Sequence, residues 1–194
     1  MSTHLIPGRA ATSRIAWIAE DRDTLRLLRE PLLAELIADR HKVLALAPDL
    51  TAADRLALLA RGIESQVFKL PRPSLLPLAQ FAARRQLADT LRTWNARAMV
   101  ADGEAVMNLG LRAALMAGIP QLFPVMPPAG GAADRKRVLR DATCVFVGST
   151  EDARQIAERY ALLGPDKLTV LPLTSFDLAS MPPAPLPVLG GGSP

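Results

Sequence analysis

The chain has 194 residues, of which 49% are hydrophobic and only 4% aromatic, a composition typical of a single α/β domain with an aliphatic core. Its net charge of +4 is mild, and no segment concentrates Lys and Arg as a nucleic-acid-binding arm does, so we expect no nucleic-acid partner. One cysteine and two histidines exclude an internal disulfide and argue against a zinc site.

The two ends of the chain differ in composition from the part between them. Residues 1–13 contain Pro7 and Gly8 but no apolar stretch of the kind found in signal peptides. We therefore expect a flexible N-terminal extension over 1–13, on a cytoplasmic domain that covers 14–180. Pro and Gly predominate from Met181 onward, which predicts a linker or disordered tail over 181–194.

Between these ends, short apolar runs alternate with longer amphipathic stretches. Seven runs are predicted strands: Arg14–Ala19, Lys42–Ala47, Ser65–Leu70, Arg97–Ala101, Gln121–Met126, Thr143–Gly148 and Leu168–Leu171. Six stretches are predicted helices: Thr24–Asp39, Ala52–Arg61, Leu78–Trp94, Val106–Ala117, Ala133–Asp141 and Glu151–Leu162. This alternation predicts one doubly wound, Rossmann-like α/β domain of about seven mostly parallel strands.

In such a sheet, ligands bind beyond the C-terminal ends of the strands. The first strand is followed by Glu20-Asp21-Arg22-Asp23 and not by Gly-x-Gly-x-x-Gly, so we expect no self-contained NAD or FAD site. The Gly-x4-Gly-Lys-Ser/Thr motif of P-loop proteins is absent from the sequence as well.

The segment from Phe68 to Arg97 combines basic and apolar residues at helical spacing. Such a helix can lie on an anionic bilayer, with Arg85 and Arg92 on the membrane-facing side because they share a face at i, i+7. The alternative is a crossover helix with a solvated basic back.

Three later features follow predicted strands. Asp102 and Glu104 flank Gly103; they can act as a general base or bind a hydroxyl, or they can stabilise the start of the next helix. The loop over 127–131 contains Gly130 and Gly131, whose amides are accessible to line a cleft, or it is a plain connection. Ser149 with Asp152 predicts a capping box. Cys144, in an apolar run, is expected to be a buried thiol.

Several strings, taken in order, resemble the N-terminal domain of bacterial family 4 glycosyltransferases, which have the GT-B fold. These strings are Leu28–Leu33, Asp39–Val43 with Ala47-Pro48, Leu59–Ile63, Leu109–Pro120, Val145–Asp152, and Leu171-Pro172 with Phe176–Leu178. In the family, the first four strings read Phe-Arg-x-Pro-Leu-Ile, Lys-Gly-His-Glu-Val, Leu-x-x-x-Gly-Val and Gly-x-x-Ala-Ala-x-x-Ala-Gly-Val-Pro. The fifth string resembles the strand and helix start near the end of that domain, and the sixth resembles the crossing into the second domain. The resemblance covers about Arg14 to Leu178 and is closest to members that build lipid-linked or surface polysaccharides.

The resemblance implies an acceptor-side domain and carries over Arg29 and the late-strand positions, although the family's Gly-rich loop after the first strand is Glu20–Asp23 here. Together with the residues that follow the strands, the candidate substrate-binding residues are Asp21, Arg22, Arg29, Gly130, Gly131 and Ser149. Asp102 and Glu104 are its weak catalytic candidates, because the histidine that the family often has after the fourth strand is missing here. Asn-Gly at the domain crossing is replaced by Leu173-Thr174. The second domain, which holds the nucleotide sugar in the family, does not follow in this sequence.

We therefore expect an acceptor-side domain or subunit that is inactive alone, with no cofactor or metal in this chain. Its expected partners are a donor-domain protein, a lipid-linked or glycan acceptor and, peripherally, the anionic inner face of a membrane. The alternative hypothesis is a non-catalytic binding or scaffold module derived from the same fold.

Overall fold

The computed structural model describes residues 13–25, 30–71, 77–126, 139–160 and 167–170. In this part of the chain the strands are β1 (Arg14–Ala19), β2 (Lys42–Ala47), β3 (Glu64–Val67), β4 (Ala98–Asp102), β5 (Gln121–Met126), β6 (Val145–Val147) and β7 (Leu168–Val170). The helices with described bounds are α1 (Glu30–Ala38), α2 (Ala52–Ala60), α3 (Pro77–Thr93), α4 (Glu104–Ala117) and α5 (Thr150–Arg159).

All seven strands form one parallel sheet in the order β3-β2-β1-β4-β5-β6-β7. The chain winds outward from β1 to β3, then crosses back to β4 and winds outward in the other direction. This confirms the predicted doubly wound Rossmann-like fold, and every strand pair is parallel. The strand order reverses between β1 and β4, which makes their C-terminal ends the topological switch point.

Two hydrophobic cores lie on opposite faces of the sheet. Along β1, Ala16 and Ile18 face one core, while Ile15, Trp17 and Ala19 face the other, as the two-residue period of a strand requires. Buried residues of α3, α4 and α5 complete the first core. Those of α1 and α2 contribute to the second. Because both faces are covered, the strands read as continuous apolar runs.

Several boundaries differ from the predicted ones. The limits of β1, β2 and β5 are as predicted, whereas β4 runs one residue further, to Asp102, and β6 is three residues long. The third strand is Glu64–Val67 and not Ser65–Leu70, because the chain leaves the sheet before Pro71, which has no amide hydrogen to donate. Helix α4 begins at Glu104 and α5 at Thr150, earlier than predicted.

Parts of two predicted helices lie outside the described residues. The first was predicted over Thr24–Asp39; residues 22–25 form a helical turn, 26–29 are not described, and α1 covers Glu30–Ala38. Of the helix predicted over Ala133–Asp141, residues 139–141 are helical and the rest is not described. Residues 1–12 of the predicted N-terminal extension, and all of the predicted tail over 181–194, also lie outside the described part of the chain.

The helix ends follow local rules. Gly118 caps α4 in the left-handed conformation with φ 75°, and Gly62, with φ 80°, follows the end of α2, as their predicted C-terminal roles require. Among the described helices, none has both the length and the apolar character needed to cross a bilayer.

Candidate functional site

The candidate site is the crevice at the switch point, where the loops after β1 and β4 meet. The backbone amide of Glu20 donates a hydrogen bond to the carbonyl oxygen of Asp102 at 3.1 Å. This bond extends the β1–β4 ladder by one step and holds the two loops against each other. Side chains that the sequence separates by more than 80 residues therefore converge at one end of the sheet.

A carboxylate from the first loop occupies the start of α4. Oε2 of Glu20 accepts a hydrogen bond from the backbone amide of Ala105 at 3.3 Å. The helix N-terminus carries unpaired amides and a partial positive charge, which is the usual position for a bound anion. Gly103 takes the N-cap position with no side-chain cap of its own. Glu20 therefore supplies the negative charge there.

Asp102 and Glu104, the catalytic candidates, lie on either side of this contact. Asp102 is the last residue of β4 and only 4% exposed, whereas Glu104 is exposed in the first turn of α4. A carboxylate in that turn is favoured by the helix dipole, as the helix-stabilising alternative expects for Glu104. The carboxylate that accepts a hydrogen bond from Ala105, however, belongs to Glu20.

Asp21 and Arg22 organise the rest of the first loop. Oδ1 of Asp21 accepts a hydrogen bond from the amide of Thr24 at 2.6 Å, which starts the helical turn over 22–25. The amide of Arg22 donates to Oδ1 of Asp49, after β2, at 2.7 Å. Its guanidinium lies 4.0 Å from Oδ2 of the buried Asp54. Arg22 thus ties the β1 loop to the β2 loop.

Ser149 belongs to the same edge of the sheet but not to the switch point. Its hydroxyl oxygen accepts a hydrogen bond from the amide of Asp152 at 3.1 Å and caps α5, which gives one half of the predicted capping box. Because β5 separates β4 from β6, Ser149 lies roughly 10 Å from the crevice by strand spacing alone. Its predicted substrate-binding role stays a prediction.

The remaining predicted site residues are elsewhere. Arg29, Gly130 and Gly131 lie outside the described residues. Arg85 and Arg92 are on α3, far from this edge. Nη1 of Arg92 binds Oδ1 of Asp89 at 2.6 Å, and its Nη2 donates to the carbonyl oxygen of Met116 at 2.9 Å, so its guanidinium is already bound at the C-terminal end of α4.

The described part of the crevice is acidic. The loops that follow β1, β2 and β4 carry one guanidinium, Arg22, and six carboxylates: Glu20, Asp21, Asp23, Asp49, Asp102 and Glu104. In the described ranges, no three His, Cys, Asp or Glu side chains converge to hold a metal ion. A surface of this sign repels a diphosphate, and its oxygens accept hydrogen bonds from hydroxyl groups, such as those of a sugar.

Sequence reasoning missed two parts of this site. Thr51 and Asp54 form a complete capping box at α2, in which each side chain binds the other residue's amide, at 3.2 Å and 2.9 Å. Their i, i+3 spacing was the available signal. The contact of Glu20 with α4 has no local signal, because its partner Ala105 is 85 residues further along the chain.

No family profile matches the chain, and no curated sequence is significantly similar to it. The structure is similar to a glycosyltransferase from Rickettsia africae ESF-5, with a TM-score of 0.65 and 12% identity over 84% of this chain and 43% of that one. It is also similar to MurG from Acinetobacter baumannii (TM-score 0.59, 17% identity, 87% and 48% covered). A third similar structure is UDP-GlcNAc 2-epimerase from Neisseria meningitidis bound to UDP-GlcNAc (0.58, 15%, 81% and 45%).

The chain spans less than half the length of each of these three proteins. At such low identity the similarity shows the fold alone: one α/β domain that corresponds to half of a GT-B Rossmann-like fold. Proteins with this fold include glycosyltransferases as well as an epimerase, so the fold does not by itself select one reaction.

Proposed function

We propose that this chain is the acceptor-side half, of N-terminal type, of a family 4-type glycosyltransferase that works in surface polysaccharide or glycolipid assembly. The observation that carries the proposal is the extent of the structural match, which covers most of this chain but less than half of a glycosyltransferase. The ordered sequence strings that resemble the family support the same assignment independently of the fold.

In the family that the sequence resembles, retaining transfer takes place in the cleft between two domains. Positive charge on the second domain stabilises the leaving diphosphate. The described part of the crevice has the opposite sign, with six carboxylates around one arginine. That charge suits the hydroxyl groups of an acceptor and disfavours the donor. We therefore propose that Asp102 and Glu104 bind or deprotonate an acceptor hydroxyl, and that a donor-domain protein supplies the nucleotide sugar.

Calorimetry on the isolated chain tests the division of labour. We expect no low-micromolar binding of a UDP- or GDP-sugar, because diphosphate and crevice repel each other and no glycine loop follows β1. Micromolar binding of either compound by this chain alone, if it also persists in the Arg85→Gln variant, would show that the donor site is here and would overturn the proposal.

A transfer assay tests the acceptor side. The chain is co-purified from its native host, and radiolabelled nucleotide sugar is added to the chain alone and to the co-purified fraction. We expect transfer only by the co-purified fraction. Asp102→Asn should reduce the rate of that transfer about 100-fold or more if the Asp102 carboxylate is the general base. Asp89→Asn on α3 is the matched control and keeps full activity. Equal activity of the two variants would exclude Asp102 from the reaction.

The alternative function, a non-catalytic binding module, is favoured by one observation. The carboxylate of Glu20 already fills the start of α4, where a ligand anion would otherwise bind. A co-purified donor-domain protein that gives no transfer with any nucleotide sugar would support this alternative over the enzyme.

We also propose a peripheral contact with an anionic membrane, at the inner membrane face if the transferase assignment is correct. Leu78 and Phe81, at the start of α3, are 79% and 53% exposed, and Leu115 and Met116 of α4 are exposed as well. Phe81, Leu115 and Met116 share a groove whose charged residues are Arg84, Arg112 and Asp141. Apolar side chains rimmed by arginines are typical of helices that lie on an anionic bilayer.

Liposome co-sedimentation tests this contact, with wild type compared to Arg85→Glu/Arg92→Glu at low and high salt. We expect the wild type to pellet with anionic vesicles only at low salt, because two or three arginines contribute about 1 kcal/mol each and salt screens them. The double variant should stay in the supernatant, and Arg55→Glu on the opposite face of the sheet should pellet like the wild type. Equal pelleting of all three proteins would contradict the proposal.

A further inference from the structure

A groove of about 740 Å³ lies between α3 and the edge strand β3, away from the crevice. Its polar lining includes Arg14, Gln66, Arg85, Asp89, Thr90 and Thr93, and Trp94 forms part of its wall. The volume falls within the range of roughly 300–1,000 Å³ that is usual for small-molecule sites.

Arg14 and Trp94 place one part of the groove at the end of the sheet opposite the candidate site, whereas Gln66, level with Ile18 through Leu46, lies nearer the crevice. Arg14 is the first residue of β1, and its carbonyl oxygen accepts a hydrogen bond from the amide of Arg97, just before β4 begins. The crevice lies beyond Ala19, at the other end of the same strand. Five steps of about 3.3 Å separate the two ends by roughly 16 Å. A phosphate held by Arg14 therefore does not compete with a ligand in the crevice.

The two arginines of the groove have no carboxylate partner in the described part of the chain. The guanidinium of Arg14 lies over the ring of Trp94, 4.8 Å from its centroid, and its buried Nε–H has no acceptor there. Buried donors are nearly always paired, so an orphaned one points to a bound water or ligand. Arg85 is exposed, and no described acid lies within ion-pair distance of it.

The acids near the groove are already engaged. The carboxylate of Asp89 pairs with Arg92 at 2.6 Å. Glu64 accepts a hydrogen bond from the indole N–H of Trp94 at 3.0 Å, which fixes the ring on which Arg14 lies. The groove therefore presents two guanidinium groups that no described carboxylate pairs with directly, although Asp89 is part of its lining.

We propose that this groove binds a phosphate group, with the guanidiniums of Arg14 and Arg85 donating to its oxygens. Guanidinium forks match phosphate geometry and remain charged at every physiological pH. The hydroxyls of Thr90 and Thr93 supply neutral donors for the remaining oxygens. The phosphate belongs either to a free small molecule or to the headgroup of a lipid, two sources with the same chemistry.

The test is calorimetric titration of the full chain with inorganic pyrophosphate at low salt. We expect binding by the wild type, weakened about tenfold or more by Arg14→Gln and by Arg85→Gln, since each removes a charged hydrogen-bond donor. Arg55→Gln, on the opposite face of the sheet, has the same charge loss and should bind like the wild type. No binding by the wild type at millimolar pyrophosphate, or equal loss in Arg55→Gln, overturns the proposal.

Two further measurements distinguish the two sources of the phosphate, and the groove proposal from the transferase proposal. In the first, the wild type is pelleted with phosphatidylglycerol vesicles. If both Arg85→Gln and added pyrophosphate abolish this pelleting, the phosphate is a lipid headgroup. If neither abolishes it, the phosphate belongs to a free compound. Asp102→Asn should leave pyrophosphate affinity unchanged, so the groove and the transferase proposal fail independently. Arg85 is exposed, so its variant answers the question even if Arg14→Gln, beside Trp94, does not fold.

Discussion

The packing of two loops at the ends of β1 and β4 depends on a single glycine. Gly103 has φ 113°, a conformation that side chains rarely adopt, and a Cβ added there would lie 2.5 Å from Oε2 of Glu20. The glycine therefore leaves space for the protein's own carboxylate, in a position where Rossmann-type proteins often place glycine next to a phosphate. In this chain the glycine makes room for a contact between two segments of the protein itself.

We expect Gly103→Ala to destabilise the fold by about 3 kcal/mol, from backbone strain and from the clash with Glu20. Gly118→Ala is the matched control, because Gly118 also has a positive φ of 75° but nothing lies within 4 Å of an added Cβ. That change should cost only about 1–2 kcal/mol. Denaturant unfolding measures both.

The double variant Gly103→Ala/Glu20→Ala separates strain from clash. Removing the Glu20 carboxylate relieves the contact with Oε2 at 2.5 Å but leaves the one with Cβ of Glu20 at 2.8 Å, so the double variant should be only partly restored relative to Gly103→Ala. If the two destabilise to the same extent, the contact between Glu20 and residue 103 has no part in the cost.

Residues whose partners are close in sequence were the predictable ones. The buried thiol of Cys144 is confirmed, and burial raises its pKa, although a hydrogen bond with Thr169, 3.0 Å away, opposes this. The positions of Gly62 and Gly118 were readable because a helix end needs a left-handed residue. The role of Glu20 could not be read from the sequence, since it depends on which strand lies next to β1.

Among the elements, the strands covered on both faces were predicted best. β1, β2 and β5 have five consecutive buried residues each, and their limits were predicted to the residue. The edge strand β3 was predicted too long, because only one neighbour pairs with it and most of its residues are exposed, and β6, although buried between two strands, was predicted three residues too long. A short apolar run alone does not show where pairing stops.

Helix α5 shows how charge spacing organises an element at the surface. Arg154 donates hydrogen bonds to Glu151 and Glu158, both at 2.6 Å, at spacings of three and four residues. The bond from Arg154, then that from Gln155, lowers the pKa of Glu151 to about 2 from its ordinary value. Its position in the first turn, after the Ser149 cap, favours the same charged state.

We expect an NMR titration of Glu151 to place its pKa below the ordinary value of about 4.3, and Arg154→Ala to raise it. Because the folded-state pKa is lowered, the stabilisation is complete above the ordinary value and is lost as the pH falls toward about 2. Arg159→Ala, in the last turn, is the control and leaves the titration of Glu151 in place. An unshifted midpoint in the wild type would show that solvent screens the pair entirely.

At the scale of the whole molecule, the alternation of strands and helices was enough to predict the topology, because right-handed crossovers leave few alternatives. Whether the molecule works with a second domain is a different kind of question, since the sheet can fold identically with or without it. Among the described residues, carboxylates gather at the crevice and guanidiniums at the α3–β3 groove. The sequence placed the carboxylates after the strands, whereas it gave no sign that Arg14 contacts Trp94, because the two are distant in sequence.

The end of the chain allows a test of where the folded domain stops. Strand β7 belongs to the sheet through its pairing with β6 and through the contact of Thr169 with Cys144. Residues 181–194 contain Pro182, Pro183, Pro185 and Pro187, which have no amide to donate, and a run of three glycines that is costly to order.

We therefore expect truncation after Ser180 to leave the thermal midpoint within a few degrees of the wild type. Truncation after Lys167, which removes β7 as well, should lower it by at least about 5 °C, since the loss of one strand pairing exceeds about 1 kcal/mol. Calorimetric melting of the three proteins gives the comparison. A large drop already after Ser180 would mean that residues 181–194 pack on the domain, and the boundary predicted from proline and glycine content would then be wrong.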